Sequence, residues 1–512
     1  MSTGTARNFL LLAVLLYMAV IAWFSPLVIQ DYPNHLARAL IMEDLIFHHG
    51  VVFGADYQYH FLFTPYVLGD LILAALVAIV GLSAAGILWA ILTFLSLPLS
   101  LLVYLRARQT SPDVTVLMLL ISLYLSTDTF FVMGFTEFRL SIAVVFVALA
   151  LMELLRQRWS LTRYAAFVVI IIVSYLTHLA ATVFIGTAIG VSAAWRVAFQ
   201  RRVTFRQVRI TREILLILPV VAMLAWHQLV AIHYRQPTDL FNQFSIWGTP
   251  EKKLRNLTWD FLRYNTYQEL AALVLLVALL GVALRERLFL DGWSRKGSQV
   301  LEPWAYAVLF LIMYVALPFA QAEASYIDVR TLALVPVFLI LGLLNLPRRA
   351  TSTGSVVYYL AIGVVAVNLA ILTFHFRKNS IWIAHYREVV AKIPEHSHIL
   401  PIYTGVRVRD LLMYLHAGSF AVMDRHALIP YQFSGNVGSP MKYFRYEQLP
   451  YAPSEFWYHE GKDPSVDWHR VSDTYRYALI MKPFSPTRIP LQGHIVAQND
   501  AVELLALDSA KR

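Results

Sequence analysis

The chain has 512 residues, of which 58% are hydrophobic and 14% are charged, and its formal net charge is +10. Soluble globular domains have about 25% charged residues and fewer apolar ones, so this composition excludes an ordinary soluble protein and indicates a polytopic membrane protein. The basic residues lie in short clusters between apolar runs, a pattern that in a membrane protein governs orientation and does not indicate nucleic-acid binding. The absence of cysteine excludes disulfides, thiolate metal sites and cysteine nucleophiles.

Long apolar runs follow one another through the first three quarters of the chain. A membrane-spanning helix needs about 20 apolar residues. The first run, at 9–29, has no small-residue cleavage site after it, so we expect a retained first helix. Residues 66–105 look like two crossings joined at Gly81, although the flanking charge clusters require an odd number. We predict about 11 to 13 transmembrane helices. The other runs are at about 114–135, 138–155, 164–195, 212–232, 269–284, 304–320, 331–347 and 355–376.

Clusters of arginine and lysine predict which connections face the cytoplasm. The positive-inside rule places all of these clusters on the cytoplasmic side. The segment between two neighbouring clusters must then leave the cytoplasm and return, so it has a tip on the outer side. The clusters are at 106–108, 156–163, 196–212, 285–296 and 348–349, and the tips are at 126–139, 174–181, 233–268 and 320–330.

The composition changes after the last apolar run, and residues 377–512 are predicted to form a separate α/β domain on the non-cytoplasmic side. Short apolar strands such as HILPIY and YALIM alternate there with a helical pattern, VRDLLMYLHAG, that Gly418 would end as a C-cap. Residues 1–376 are then the transmembrane domain, with a first outer loop at 30–65. The expected fold is a polytopic α-helical membrane protein with a C-terminal soluble α/β domain.

Ionisable residues collect in the predicted outer tips. Such a side chain near hydrocarbon is costly unless it is paired or reaches water, so it is a functional-site candidate. The first outer loop opens with QDYPNHLAR, where a helix would place Asp31, His35 and Arg38 on one face. The later tips contribute six more candidates, which are Asp128, Glu137, Arg139, His178, Asp328 and Arg330.

Asp31 and Arg38 also have structural interpretations. Asp31 precedes Pro33 and could simply cap the N-terminus of a helix. The helix that follows is amphipathic and could lie in the membrane interface, where Arg38 would face water. A lone histidine at the tip of a hairpin, such as His178, often has only a structural role.

The later tips have structural interpretations too. Glu137 and Arg139 could pair with each other or cap the helix that starts nearby. Arg330 opens a helix at its N-terminal end, an unfavourable place for a cation in the helix dipole, so an anion is expected close to it. That anion could be Asp328 or an anionic substrate.

Common catalytic motifs are absent from the sequence: it has no Walker A loop, GxGxxG after a strand, HExxH or GxSxG. A membrane enzyme that works outside the cytoplasm has no nucleotide sugars and must use a lipid-linked donor. Its site needs a carboxylate base for an acceptor hydroxyl and a cation for the departing phosphate. Asp31 and Arg330 suit these two tasks.

The layout resembles the GT-C superfamily of polyprenyl-phosphate-sugar glycosyltransferases, because a first helix leads directly into an outer loop with an acidic motif, followed by many helices and a terminal α/β domain. The residue match lies at Asp31, with weaker support from MGFTEFRLS, YLTHLA and IDVR. The resemblance implies a bacterial inner-membrane enzyme with its active site and C-terminal domain on the periplasmic side. It would transfer a hexose or pentose from a polyprenyl-phosphate donor to a hydroxyl on a lipid, glycan or protein.

This resemblance implies a role for each candidate. Asp31 would be the base of a single inverting displacement, and His35 or His178 would hydrogen-bond the sugar or the phosphate. Arg330, with Arg139 as a second candidate, would stabilise the leaving phosphate. Many members carry paired acids where this chain has only Asp31, so a divalent cation is possible but no metal ligands are assigned. The remaining candidates, Arg38, Asp128, Glu137 and Asp328, are assigned to substrate binding.

Three other function classes fit parts of the pattern. A transporter or flippase would also place charges along a membrane path, but it should show related halves, and no internal repeat is evident. A polysaccharide ligase or acyltransferase would make His178 or His35 the essential base. A non-catalytic assembly or sensing protein would act through its terminal domain. The expected partners are the lipid-linked donor, membrane lipid and a glycan or lipid acceptor, without nucleic acid.

Overall fold

Helices make up most of the structure, a computed structural model that describes residues 3–27, 29–199, 210–234, 245–258, 261–264, 267–288, 297–321, 324–346, 354–403, 414–430, 441–443, 468–482 and 491–508. In chain order the helices are α1 (Thr3–Trp23), α2 (Tyr32–Phe47), α3 (Val67–Val80), α4 (Leu82–Ala107), α5 (Pro112–Leu125), α6 (Thr129–Val132), α7 (Thr136–Gln157), α8 (Leu161–Thr177), α9 (Leu179–Phe199), α10 (Ile210–Tyr234), α11 (Pro250–Asn256), α12 (Tyr267–Leu288), α13 (Gly297–Ala316), a 3₁₀ helix (Val329–Ala333), α14 (Val335–Asn345), α15 (Gly354–Val390), α16 (Ser419–Arg425) and α17 (Trp468–Thr474).

The strands form three small sheets. In the first, β1 (Tyr57–Tyr59) pairs antiparallel with β6 (Met441–Tyr443). The second is antiparallel and contains β2 (Ser245–Ile246), β3 (Ala320–Gln321) and β4 (Ala324–Ser325). The third has the order β5-β7-β9-β8, in which β5 (Ile399–Ile402) is parallel to β7 (Tyr477–Met481), whereas β9 (Val502–Leu507) is antiparallel to both β7 and β8 (Gly493–Gln498).

Seven helices in the described part of the chain are long and apolar enough to cross a bilayer, and five shorter apolar helices accompany them. Their exposed faces carry large apolar side chains such as Leu15, Val169 and Val274, as expected for surfaces that face lipid. The predicted polytopic helical fold with a small C-terminal sheet is confirmed. A count of about 11 to 13 crossings would require the shorter helices to cross as well.

The segment 66–105 contains one break, at Gly81, whose φ of +78° suits glycine. Helix α3, before the break, packs along α2, and its Leu71 and Ala74 join the apolar cluster of the C-terminal domain. Helix α4, after the break, continues to the basic residue Arg106. We therefore assign a single crossing to this segment, made by α4, which satisfies the odd number that the charge pattern requires.

The C-terminal domain is tied to the helical bundle by α15. This helix has 37 residues and is about 55 Å long, so it extends beyond a hydrocarbon core of about 30 Å. The predicted boundary at residue 376 falls inside it. Near its end, Tyr386 and Val390 pack with Leu479 of β7 and with Ile41 of α2. The domain therefore sits on α2 and α3, at the end of the bundle that carries Asp31.

The two ends of the bundle differ in charge. We call the end with Asp31 and Glu137 the site face. At the opposite face, Arg108 Nη1 lies 2.9 Å from Glu302 Oε2, and Arg156 is within 2.9 Å of a glutamate of α10. Because Glu137 and Arg156 are at the two ends of α7, the basic clusters and the candidate site are about 28 Å apart.

Candidate functional site

Asp31 occupies the N-cap position of α2, with Pro33 in the first turn, but its side chain makes no capping hydrogen bond among the described residues. Instead, Gln30 Nε2 donates to Asp31 Oδ1 at 3.2 Å, and His416 Nε2 lies 3.3 Å from the same oxygen. The capping interpretation of Asp31 is therefore wrong. Its carboxylate is held by side chains on one oxygen, which leaves Oδ2 without a hydrogen-bond donor in the part of the chain that the structure describes.

A glycine loop positions the backbone of Asp31. Asp31 N donates to Met133 O at 2.9 Å, in the loop that joins α6 to α7. The next residue, Gly134, has a φ of +73°, and a Cβ there would lie 2.6 Å from Tyr32 N and 2.9 Å from Asp31 N. Glycine is required by both the conformation and the close approach. The tip that follows α5 is therefore docked directly on the start of α2.

Arg38 joins three helices at the site face. Its Nε donates to Asp70 Oδ1 of α3 at 3.1 Å, its Nη2 donates to Asp70 Oδ2, and Nη2 lies 3.7 Å from Glu137 Oε1 of α7. Arg38 is only 6% exposed, so the interpretation in which it faces water is wrong. Buried charges of this kind need such partners, and they fix α2, α3 and α7 relative to one another.

His35 lies beside this group. Burial, with the nearby charge of Arg38 as a second cause, lowers the pKa of His35 well below its ordinary value. Ligand atoms of His35, Asp70 and Glu137 all lie within 4.8 Å of one another, a set that could bind a divalent cation. The guanidinium of Arg38 already supplies a positive charge to these two carboxylates. A second set, with two of its three residues exposed, is formed by Glu395, His396 and His426.

Arg139 pairs with Asp128 and not with Glu137. Asp128 Oδ2 accepts from Arg139 Nη1 at 2.6 Å, while Asp128 Oδ1 accepts from Phe131 N and caps α6. The interpretation in which Glu137 pairs with Arg139 is wrong, because residues two apart on a helix point in different directions. The Asp128 and Arg139 side chains are almost completely buried, so the pair fixes the shape of the tip.

Asp328 is neutralised by Lys253. Its Oδ1 accepts from Val329 N at 2.8 Å, and its Oδ2 lies 3.3 Å from Lys253 Nζ. Lys253 also donates to the carbonyl oxygens of Tyr314 and Leu317 at the end of α13, at 2.7 and 2.8 Å. The interpretation of Asp328 as the partner of Arg330 is therefore wrong.

Arg330 extends from the 3₁₀ helix towards α7. Its guanidinium carbon lies 5.5 Å from the ring centre of Phe135 and 5.7 Å from that of Phe138. Its Nε is buried without a hydrogen-bond partner among the described residues, and Tyr66 and Asp31 act on its charge electrostatically. No carboxylate of a described residue lies within ion-pair distance of it. Arg330 is thus a cation beside aromatic rings with an unused donor, a setting suited to an incoming anion.

His178 completes the surroundings of Arg330. It lies between α8 and α9, and its ring packs edge-on against Tyr66 and Phe138, with ring centres 4.7 and 5.3 Å away. Ala180 N donates to His178 Nδ1 at 3.1 Å, so the proton of the neutral ring is on Nε2. Burial, with the charge of Arg330 as a second cause, lowers the pKa of His178 well below its ordinary value.

Four residues at the site were not among the sequence candidates. Tyr66 has a φ of +73°, a conformation rare outside glycine that often marks functional sites, but nothing in the sequence signals it. Lys253 and His416 come from segments distant in sequence. Asp70 could have been found, because it is an acid inside an apolar run and the same rule that selected Asp31 applies to it.

The structure brings five of the nine sequence candidates into two adjoining groups, and Asp128, Arg139 and Asp328 belong to separate ion pairs. Arg330, His178 and Tyr66 form a cationic and aromatic group, and Asp31 interacts with Arg330 at its border. Arg38 and Glu137 belong to a buried ionic group behind Asp31. This arrangement can accept a proton at Asp31 and bind an anion at Arg330.

Two solved structures are similar to this chain over nearly their whole length. Both are crystal structures of ArnT from Cupriavidus metallidurans. The one bound to undecaprenyl phosphate has 12% sequence identity, a TM-score of 0.56, and coverage of 100% of this chain and 99% of that chain. The apo structure has 13% identity, the same TM-score of 0.56, and 98% coverage of each chain. No protein-family model matches the sequence, and no curated protein is significantly similar to it. At this low identity the similarity shows the fold alone: the chain has the fold of the ArnT structures.

Proposed function

We propose that this protein is a membrane glycosyltransferase that moves a sugar from a polyprenyl-phosphate-linked donor to a hydroxyl acceptor at the site face. One observation carries the proposal: Arg330 Nε is buried without a hydrogen-bond partner among the described residues, and the carboxylate of Asp31 is near enough to act electrostatically on this guanidinium. A base and a free anion site next to each other are what transfer from a phosphate-linked sugar requires.

The fold supports a lipid-linked phosphate as the anion. The ArnT structure of the same fold is bound to undecaprenyl phosphate. In this chain Arg330 lies at the end of a helical bundle with lipid-facing helices, where a lipid phosphate would arrive from the bilayer. The planar guanidinium suits a phosphate, and Tyr66 and the Nε2 proton of His178 are additional donors for its oxygens.

Asp31 acts as the base in the proposed mechanism. Its Oδ2 takes the proton of the acceptor hydroxyl while the hydroxyl oxygen forms a bond to the anomeric carbon of the donor sugar. The bond from that carbon to the phosphate oxygen breaks, and its electron pair stays on the phosphate, where Arg330 stabilises the charge. The products are the glycosylated acceptor, with inverted configuration, and polyprenyl phosphate.

The buried ionic groups position this site and, in the proposal, do not contact substrate. Asp128 with Arg139 shapes the tip, Arg38 with Glu137 fixes the helices, and Asp328 is occupied by Lys253. His35 is one helical turn from Asp31, and in the proposal its side chain contacts the acceptor. The positive-inside rule puts the opposite face in the cytoplasm, so we place the site face and the C-terminal domain on the periplasmic side of a bacterial inner membrane.

Binding of undecaprenyl phosphate to the purified protein in nanodiscs tests the anion site without knowledge of the sugar. Arg330→Gln should weaken binding by about 10- to 100-fold, the scale of lost hydrogen bonds to a charged group. Arg330→Lys should have an intermediate effect because it keeps the charge but loses the planar fork. Arg387→Gln is a matched control, since Arg387 forms an ion pair with Asp424 in the C-terminal domain. Unchanged binding in Arg330→Gln would reject the phosphate site.

Transfer of sugar in proteoliposomes, from a panel of undecaprenyl-phosphate hexoses and pentoses, tests the base. Asp31→Asn keeps the size of the side chain but cannot accept the proton, so transfer should fall by about a hundredfold or more while undecaprenyl phosphate still binds. Normal transfer in Asp31→Asn would exclude Asp31 as the base. Movement of the lipid across the membrane without transfer would favour a flippase.

A further inference from the structure

His416 belongs to the C-terminal domain but reaches the first turn of α2. It is 3% exposed and lies between Leu415 and Ala417, both of which are in the apolar cluster shared by the domain and α2. A polar group buried in such surroundings needs hydrogen-bond partners. Two polar neighbours of His416 are Asp31 and Asn34, more than 380 residues earlier in the chain.

The contact with Asp31 determines which ring nitrogen donates. His416 Nε2 lies 3.3 Å from Asp31 Oδ1, and a carboxylate oxygen can only accept, so Nε2 is the donor. On the other side of the ring, Asn34 Nδ2 lies 3.4 Å from His416 Nδ1. His416 therefore donates a hydrogen bond to the carboxylate of Asp31.

We infer that His416 is a positioning residue for Asp31, by which the C-terminal domain sets the orientation of the base. The imidazole and the amide of Gln30 both donate to Oδ1, so the carboxylate cannot rotate freely and Oδ2 is turned towards the acceptor. This inference rests on the proposed function, because Asp31 is the base in it. The C-terminal domain thus supplies one part of the site.

Substitutions at His416 in the full-length protein separate this role from simple packing. His416→Phe keeps a ring of similar size but cannot donate, and we expect transfer in proteoliposomes to fall by about 10- to 100-fold, the scale for losing a residue that orients a functional group. Binding of undecaprenyl phosphate should be unchanged, since Arg330 is untouched. His416→Gln retains a donor and should recover most of the rate.

A double substitution provides the decisive comparison. If His416 acts through Asp31, His416→Phe should cause no further loss of transfer in an Asp31→Asn background. His398→Phe is the matched control, because His398 is in the same domain and its Nε2 lies 4.0 Å from Asp56 of the first outer loop. Its transfer rate should stay within about twofold of the parent.

The outcomes distinguish the two proposals. Normal transfer in His416→Phe, or an equal further loss in the Asp31→Asn background, would overturn the positioning role and leave the proposed function in place. A parent protein that transfers none of the sugars would reject the proposed function itself. The melting temperatures of the two single variants and the double variant test the contact independently of transfer. If the decrease in the double variant equals the sum of the decreases in the single variants, Asp31 and His416 do not interact.

Discussion

Lys253 Nζ lies 3.3 Å from Asp328 Oδ2, and this pairing keeps the carboxylate of Asp328 away from Arg330 two residues later. The Asp328 side chain is only 1% exposed, so its charge depends on Lys253 for a partner. Arg330 is therefore left available to a phosphate by a residue from another segment of the chain, Lys253 of α11.

Lys253→Met should destabilise the protein by about 3–5 kcal/mol, the usual effect of leaving a buried charge unpaired. Lys253→Met combined with Asp328→Asn should recover part of that loss, because the unpaired charge is gone while the carbonyl oxygens of Tyr314 and Leu317 still lack their donor. Thermal unfolding in detergent measures both effects. A double variant less stable than Lys253→Met would contradict the pairing.

Gly134→Ala should reduce transfer strongly while leaving undecaprenyl phosphate binding largely intact. The added Cβ would lie 2.9 Å from Asp31 N and 2.6 Å from Tyr32 N, so the backbone that carries the base must move, and the φ of +73° disfavours alanine as well. Gly190→Ala in α9 is the matched control, because no atom lies within 4 Å of its added Cβ. Equal transfer rates in the two variants would show that the close approach at Gly134 does not matter.

Stability should decrease on acidification because His35 and His178 both have lowered pKa values in the folded protein. An unfolded histidine has a pKa of about 6.5, so below that pH the unfolded state binds protons that the folded state excludes, and the free energy of unfolding falls. The melting temperature should be steady above about pH 7 and decline below about pH 6.5.

The His35→Asn/His178→Asn variant should show a weaker pH dependence than the parent. His60→Asn is the control, since His60 is exposed in the first outer loop. A double variant whose melting temperature falls with pH as steeply as that of the parent would show that these two histidines are not the cause.

The sequence predicted the fold better than it predicted the contacts among the candidate residues. The helices, the break at Gly81 and the C-terminal domain could be inferred because hydropathy and charge are properties of short stretches of sequence. The candidate pairs Glu137 with Arg139 and Asp328 with Arg330 were chosen as sequence neighbours, but residues two apart do not face each other on a helix. Their true partners are set by tertiary packing.

His416 shows the limit of sequence reasoning most clearly. Nothing local distinguishes it from any histidine at the end of an apolar helical pattern. Its significance comes from a contact across 382 residues, which depends on how the domain docks on α2. Asp70 is the opposite case, since it was missed although an acid inside an apolar run could have been noticed from local composition, and the structure shows it paired with Arg38.

The pairing of β1 with β6 has a consequence for biosynthesis. Tyr57 is opposite Tyr443 in this two-stranded sheet, so the first outer loop closes on a strand that is synthesised much later. Domains generally fold in the order in which they are synthesised, and contacts between distant segments form late. The transmembrane helices can thus be inserted long before Asp31 meets His416, and a chain that stops short of the last domain would reach the membrane without a completed site.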